Sequence, residues 1–498
     1  MAVTDKYTDE EKLFFTQLTQ PTQVVLNAMQ KKESLDAIES GIHTFEEKAR
    51  WLPKPAKMKD EDWKQRVERI KFLPLTDKMI KLNYTRPFTK QASISTDDDF
   101  VKSLVDDFDG FGTNLTTFAK KGFKGSLYDS QIHFFIDYLD EEGREKRPTV
   151  HQLRIGKNIL GGYHNEYGEL VHLRFQTFFT ERNPNNIFDV LTLRKIWIFN
   201  KVGNKVFFEA WKENPESVGT FLQEDEDKER VYGFDEIPLM SYYPDDTDNP
   251  FDPDLLFSAL ADKNMEFFES AAEQRDYLAQ GRIPILFIKG VDVNNGVMIG
   301  KSLAVKAEDP EADMKYVEIN GQSLAAGDRY NDKLIVEMSQ MGLELLNKKT
   351  NITATASTID NAQNLSLLTA FAVSYQNFLK SVVNKMIKWN NFKKPTKSED
   401  EEVKFILSID TDFSTVVDQA ELTFLQNLRA TGDISGETIT NYAKDKGILP
   451  QEYDYYEDQE KLLQQGYTSV NMTDLIPIDN KLKTDNSDEA TVNIDNKQ

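Results

Sequence analysis

The chain contains no cysteine, which excludes disulfides, thiolate nucleophiles and cysteine-ligated zinc and suits a reducing cytosol. It has few histidines, at His43, His133, His151, His164 and His172, and none forms an H-x-x-x-H pair. No G-x-S-x-G nucleophile elbow occurs. Long hydrophobic runs are missing too: nothing approaches the roughly 20 apolar residues of a membrane-spanning helix. The opening MAVTDKYTDEEKLFF places no basic stretch before an apolar one, so no secretory leader is expected. Positive charge is in deficit, with 60 basic residues against 83 acidic and a net charge of −23. That balance argues against tight binding of nucleic acid by phosphate neutralisation, and against an anionic membrane surface. What is plentiful is core material, 39% hydrophobic residues with 32 phenylalanines. At 498 residues this is enough for about three domains or one elongated multi-part subunit.

The stretch from Asp252 to Thr350 organises the rest. Asp252-Pro253-Asp254 reads as a helix start, and Leu256, Leu260, Phe267, Ala271 and Leu278 keep one helical face as far as Gly281. A helix over 252–280 would be roughly 40 Å long at 1.5 Å per residue. Arg282 to Ile288 (RIPILFI) and Met314 to Ile319 read as short strands, the second ending at Asn320-Gly321. A second helix is expected from about Gly327 to Asn347, on Leu334, Ile335, Met338, Met341, Leu345 and Leu346. Helix, small β module and helix make an arm.

Before the arm, residues 9–80 read as helical with breaks at Pro21 and at Trp51-Leu52-Pro53-Lys54-Pro55, and a further helix follows Asn114. SQIHFFIDYL, VHLRFQTFF, LRKIWIFN and KVFFEAW mix alternation with aromatics between turn signals, the pattern of an antiparallel meander. After the arm, 348–361 is rich in Thr, Ser and Asn without apolar periodicity. A strong helix is expected over 362–389, then a strand over 403–409. Helices are expected at 418–430 and 436–446, the second capped by Ser435. Residues 467–498 are polar and read as a disordered tail.

Few residues suggest chemistry. Gly296 to Ser302 (GVMIGKS) has three residues between its glycines where a phosphate-binding loop needs four, and no helical pattern follows, so a β-turn is expected. Asp106, Asp107 and Asp109 beside Gly110, and Asp410 with Asp412, lack the ligand spacing of an EF-hand and read as loop and strand-end caps. No catalytic residue, metal or cofactor is expected. Lys348 and Lys349 have two readings. They either place two cations on a loop able to touch phosphates, or close a helix whose C-terminal dipole favours lysine.

Several segments, in this order, carry a resemblance: ARWLPKP, FDGFGTNLTTFAKKGFKGSLYDSQIHFFIDY, RPTVHQLRIGKNI, IPLMSYYPD, AAEQRDYLAQGRIPILFI, MKYVEINGQSLAAG, NITATASTIDNAQNLSLLTAFA and LQNLRATGDISGETI. Spanning most of 45–450, they resemble the portal proteins of tailed double-stranded DNA phages. The similarity is nearest to a portal-like family catalogued as a phage domain of unknown function. The resemblance implies an α+β subunit of a ring, usually of twelve, at one capsid vertex. It implies a helical and β wing (1–251), a two-helix stem (252–281 and 326–347), a small clip (282–325) and a tunnel loop (348–361). A wing helix and strand (362–413), crown helices (414–466) and the tail (467–498) complete it. Lys348, Lys349, Thr350 and Asn351 would then meet DNA in the channel, and Arg282, Lys289, Lys301 and Lys306 in the clip would meet terminase and adaptor. The implied partners are other copies of the chain, passing duplex DNA, the terminase large subunit, the capsid or scaffold protein and a head–tail adaptor. The implied place is the virion's portal vertex, assembled in host cytoplasm, with no membrane and no catalysis. Two other classes stay open: another ring-forming connector or capsid assembly protein, and a metal-dependent phosphoryl-transfer enzyme using the aspartate clusters.

Overall fold

Six short helices open the chain, and local signals set most of them. In α1 (Asp9–Thr19) Thr8 and Glu11 form a reciprocal capping box, and in α4 (Phe45–Trp51) Thr44 and Glu47 do the same. Between them lie α2 (Gln23–Lys31) and α3 (Glu33–Ser40). α5 (Asp60–Arg69) begins with three acids and ends with Arg66 and Arg69, as the helix dipole favours. α6 (Leu75–Thr85) follows. The computed structural model describes residues 7–139, 147–184, 186–224, 230–232, 234–281, 285–289, 311–317, 321–342, 354–393, 403–411 and parts of 425–464. It divides into two compact units, Met1–Phe413 and Ser414–Gln498.

The first unit is built around one buried helix. After β1 (Ser93–Thr96) and α7 (Asp99–Ser103), α8 (Leu115–Asp129) starts on the side chain of Asn114, which accepts from the Thr117 N–H at 2.8 Å. It buries Leu115, Phe118, Phe123 and Leu127 in the main core. β2 (Ile132–Leu139) pairs antiparallel with β3 (Arg147–Leu153). The meander is β4 (Ile159–His164), β5 (Leu170–Asn183), β6 (Asn186–Val202), β7 (Lys205–Glu213) and β8 (Phe221–Gln223), in that spatial order and antiparallel at every pairing. β9 (Arg230–Tyr232) also pairs with β7, and β10 (Leu239–Tyr242) returns to pair with β2. The expected meander is therefore present, with its strands extended beyond the aromatic runs that announce them.

The arm is α9 (Ser258–Gly281), β11 (Ile285–Lys289), β12 (Asp313–Val317) and α10 (Gly321–Met341). Two helix starts differ from expectation. α9 begins six residues after Asp252, because Phe251 is buried with φ of 69° and the Leu256 N–H donates to Ser130 Oγ at 2.8 Å. Asp252 instead pairs with Lys31 at 2.8 Å. α10 begins at Gly321, ahead of Gly327, so the latter lies inside a helix.

α11 (Ala354–Lys393) is 40 residues long, about 60 Å at helical rise. Leu368, Ala372, Tyr375, Leu379, Val382, Val383 and Met386 are all buried, as their spacing predicts. The helix starts eight residues before 362 and takes in half of the segment expected as loop. Once a helix is nucleated, polar Thr and Ser can propagate it; apolar periodicity marks the packed face and not the helix end. Tyr375 donates to the Ala119 carbonyl at 2.9 Å, and a Cβ at Gly122 would stand 2.3 Å from its hydroxyl. Gly122 is thus what lets α8 and α11 close on each other. β13 (Phe405–Ser408) then pairs antiparallel with β1. In the second unit, α12 (Gly436–Asp445) is capped by Ser435, whose Oγ accepts from the Thr438 N–H at 3.1 Å, and is followed by α13 (Tyr455–Gln464). Of the helix expected over 418–430, positions 425 and 427–429 are helical. The tail expected over 467–498 lies outside the described residues.

A charged cluster joins the helical layer to the sheets. Asp129, fully buried, accepts from Lys32 at 3.0 Å and from Arg154 Nε and Nη2, each at 2.6 Å. Arg154 also reaches Glu39 at 2.7 Å, which Lys124 holds at 2.8 Å. Burial alone would raise the Asp129 pKa, but the Arg154 hydrogen bonds and the Lys32 charge hold it below the usual carboxylate range. Removing one partner strands the others without water. Asp129→Ala is expected to cost about 3–5 kcal/mol, read by urea denaturation; a loss below about 1 kcal/mol would show that the cluster adds little.

Candidate functional site: the two-helix arm

The arm is rooted before it is exposed. Leu260, Ala261 and Met265 of α9 lie in the main core, and Phe268 and Ala272 pack with Leu52 and Ile70. Asn264, fully buried, accepts from the Thr76 N–H at 2.9 Å and donates to the Leu73 carbonyl at 3.0 Å. Arg66 pairs with Asp276. Beyond this root Tyr277 is 54% exposed and Leu278 is open, and on α10 Tyr330 and, at its root end, Met341 are also exposed.

Polar contacts hold the two arm helices together. Ser270 donates to Asn331 at 2.7 Å, and Gln274 donates to the Leu324 carbonyl at 2.7 Å and to Asp328 at 3.0 Å. Lys263 bridges Glu266 at 2.9 Å and Glu337 at 3.2 Å, and Tyr330 donates to Glu266. A Cβ at residue 327 would meet Gln274 Oε1 at 2.0 Å, so the mid-helix glycine makes room for that buried amide. Sequence reading used the apolar stripe and missed this polar seam. The signal was a glycine interrupting an otherwise helical pattern, which marks a close approach.

At the tip, β11 and β12 form an antiparallel pair running from Ile285↔Val317 to Lys289↔Asp313. Phe287, Met314 and Tyr316 are exposed there, and Lys315 sits 5.7 Å from the centre of the Phe287 ring. Of the expected tip cations, Lys289 is placed at the end of β11, exposed and 3.4 Å from Glu311. Arg282, Lys301 and Lys306 lie outside the described residues, as do Lys348, Lys349, Thr350, Asn351 and the glycine-bounded 296–302 segment. At the foot of the arm, Leu52, Pro53, Lys54, Pro55, Arg66, Glu269 and Glu273 line a cleft of about 250 Å³. Its cations are engaged: Lys54 with Asp60 and Arg66 with Asp276.

Of the aspartates expected as caps, Asp107 and Asp109 cap their loop. Asp107 Oδ1 accepts from the Gly110 and Gly112 N–H groups, each at 2.9 Å, and its Oδ2 meets Arg147 at 3.2 Å. Asp109 accepts from the Phe111 and Thr113 N–H groups. Asp410 accepts from the Thr89 hydroxyl at 3.3 Å, and Asp412 is outside the described residues. Among the described residues, no group of three or more His, Asp or Glu could hold a metal ion, and no helix is long and apolar enough to cross a membrane.

Residues 257–390, the arm and most of α11, match the model of the family described as Domain of unknown function (DUF4055). No curated protein matches the chain. Among the solved structures that resemble it distantly are the following two. One chain is from the "Virion of native gene transfer agent (GTA) particle", 11% identical, covering 81% of this chain and 96% of its own, with a TM-score of 0.39. The other is from the "Neck of empty GTA particle computed with C6 symmetry", 12% identical, covering 73% and 88%, with a TM-score of 0.36.

The histidines take structural places. His133 is fully buried, 2.8 Å from Ser241 Oγ and 3.0 Å from Gln131, and burial drives its pKa down to about 3. An unfolded histidine titrates near 6.5, so below that pH the unfolded chain binds the extra proton and stability falls as pH falls. His133 alone should therefore remove about 2 kcal/mol between pH 7.5 and 5. Urea denaturation of His133→Gln at both pH values should show a pH dependence smaller by that amount; an unchanged dependence would place the proton uptake elsewhere.

Proposed function

We propose that this chain is the repeating subunit of a tailed-phage portal, a ring at one capsid vertex through which double-stranded DNA passes during packaging and ejection. The observation that carries the reading is the arm. A helix pair fixed at its root by Asn264 and locked along its length by Gln274 leaves Tyr277, Leu278, Tyr330 and Met341 in water. A single copy gains nothing from exposing them, whereas a neighbouring arm in a ring would cover them. The ordered segments that resemble portal proteins support the same reading, and the DUF4055 match falls on the arm.

The charge balance suits a conduit. Each phosphate contact adds salt-dependent affinity, so a channel that must release its cargo keeps such contacts few. With a net charge of −23, an acidic wall would let the duplex slide while Lys348 and Lys349 steady it. In this reading Arg282, Lys289, Lys301 and Lys306 at the arm's tip face the terminase and later the adaptor. The protein itself catalyses nothing, the packaging ATPase being a separate partner.

Native mass spectrometry with negative-stain imaging tests the ring. About twelve protomers around a central hole are expected for a portal. A compact monomer stabilised by Mg²⁺ would instead favour phosphoryl chemistry. Replacing both Lys348 and Lys349 with Ala should lower packaged-DNA yield and retention in an assembling phage; unchanged yield would remove the two lysines from the channel's working surface.

A further inference from the structure

β5 and β6 outrun their neighbours. β4 accompanies β5 no further than Phe175, and β7 accompanies β6 no further than Lys195. From Phe178↔Arg194 through Arg182↔Val190 the two strands pair only with each other. The ribbon has two unlike faces. On one, Leu193 is buried, Glu181 pairs with Lys212 at 2.7 Å, and Lys212 sits over the Phe179 ring. On the other, Phe178, Thr180, Arg182, Phe188, Val190 and Thr192 are all exposed, Phe188 at 94% and Val190 at 63%. A lone two-stranded ribbon is marginal in water, and this one turns its aromatic and β-branched residues outward.

The same face carries a second bare patch at its far end. Residues of even spacing share a face, so His172 lies on the side of Phe178. Tyr163, 60% exposed, stacks on His172 at 5.5 Å; Tyr167 in the following turn is 80% exposed, and Val202 is 67% exposed. Between the patches the face is covered by α1: Arg174 donates to the Gln17 and Gln20 carbonyls, and Ile196 packs with Phe15 and Leu18. One face thus has a covered middle and two open apolar ends.

The two ends also match in charge. On this face the ribbon exposes Arg182, and the far end exposes Glu166. We infer that the ribbon face of one copy docks on the Tyr163–Tyr167–Val202 end of the same sheet in the next copy, Arg182 meeting Glu166. α1, about 10 Å thick, stands between the patches and obstructs a two-fold pairing that would seat both patches at once. Contact between unlike patches is heterologous, and such contact closes rings or grows filaments. Closure into a ring rests on the portal reading; the docking itself needs only self-association.

The absence of cysteine makes the test clean. In a Val190→Cys/Tyr167→Cys variant the two thiols sit at opposite ends of the sheet, roughly 30–40 Å apart at strand rise. A short bis-maleimide therefore cannot join them within one copy. The expected result is a ladder of linked multimers on denaturing gels, with neither single variant producing more than traces. Phe188→Asp should lower ring yield about tenfold, as loss of a central apolar contact does. Rings that form without the ladder and survive Phe188→Asp would overturn the docking and leave the portal reading standing. A chain that neither assembles nor cross-links at any concentration would overturn both.

Discussion

Asp129 has no exposed surface and sits between two cations drawn from distant parts of the chain, Lys32 at the junction of α2 and α3 and Arg154 after β3. Its own position ends α8, the helix on which the main core is assembled. Asp129 and Lys32 are buried and Arg154 is largely so, so each element is held in place by the need to satisfy the others. The N-terminal helices, the central helix and the entry to the meander are thereby fixed to one another by a geometric requirement as well as by apolar burial. At the very next position, Ser130 accepts from the backbone of Leu256, so the same corner also fixes where the arm leaves the body.

The arm uses a different principle. Its root is buried and apolar, but between its two helices the decisive contacts are amide and hydroxyl hydrogen bonds, centred on Gln274 opposite Gly327. Polar pairs are directional, so they define one register where a stripe of leucines would tolerate several. The apolar residues are left for the outside, where a partner can use them. In the proposed ring, this division would fix the internal geometry of each subunit before assembly and leave its contact surface open until then.

Much of this was legible in the sequence wherever one side of an element is buried. The spacing of Leu368, Tyr375, Leu379 and Met386 gave the face of α11, and the alternation of β5 to β7 gave the meander, because burial imposes those periods directly. Legibility failed where another force decided. Asp252 and Pro253 carry a helix-start signal, yet Phe251 and Leu256 have tertiary anchors that delay the helix. Polar residues from Ala354 onward continue α11 without advertising it. The buried charges were invisible, since Lys32, Asp129 and Arg154 are separated by long stretches of chain and meet only through the fold. The cap roles of Asp107 and Asp109 were readable from adjacent glycines, which need backbone N–H partners in a tight loop. The proposed channel and tip roles all rest on the sequence resemblance; of those cations, Lys289 is the one among the described residues, at the end of β11.

The pairing of β1 with β13 has a consequence for how the protein is made. Thr96 and Lys404 are hydrogen-bonded across 308 residues of sequence. At a synthesis rate of about 5–20 residues per second, the first strand waits roughly 15–60 s for its partner to leave the ribosome. α8 waits almost as long for Tyr375, whose hydroxyl it receives across 256 residues. Until then the main core of the first unit lacks the α11 residues that complete it. In the proposed ring, the order of translation would itself keep nascent chains from joining their neighbours, so that assembly would begin only with finished subunits.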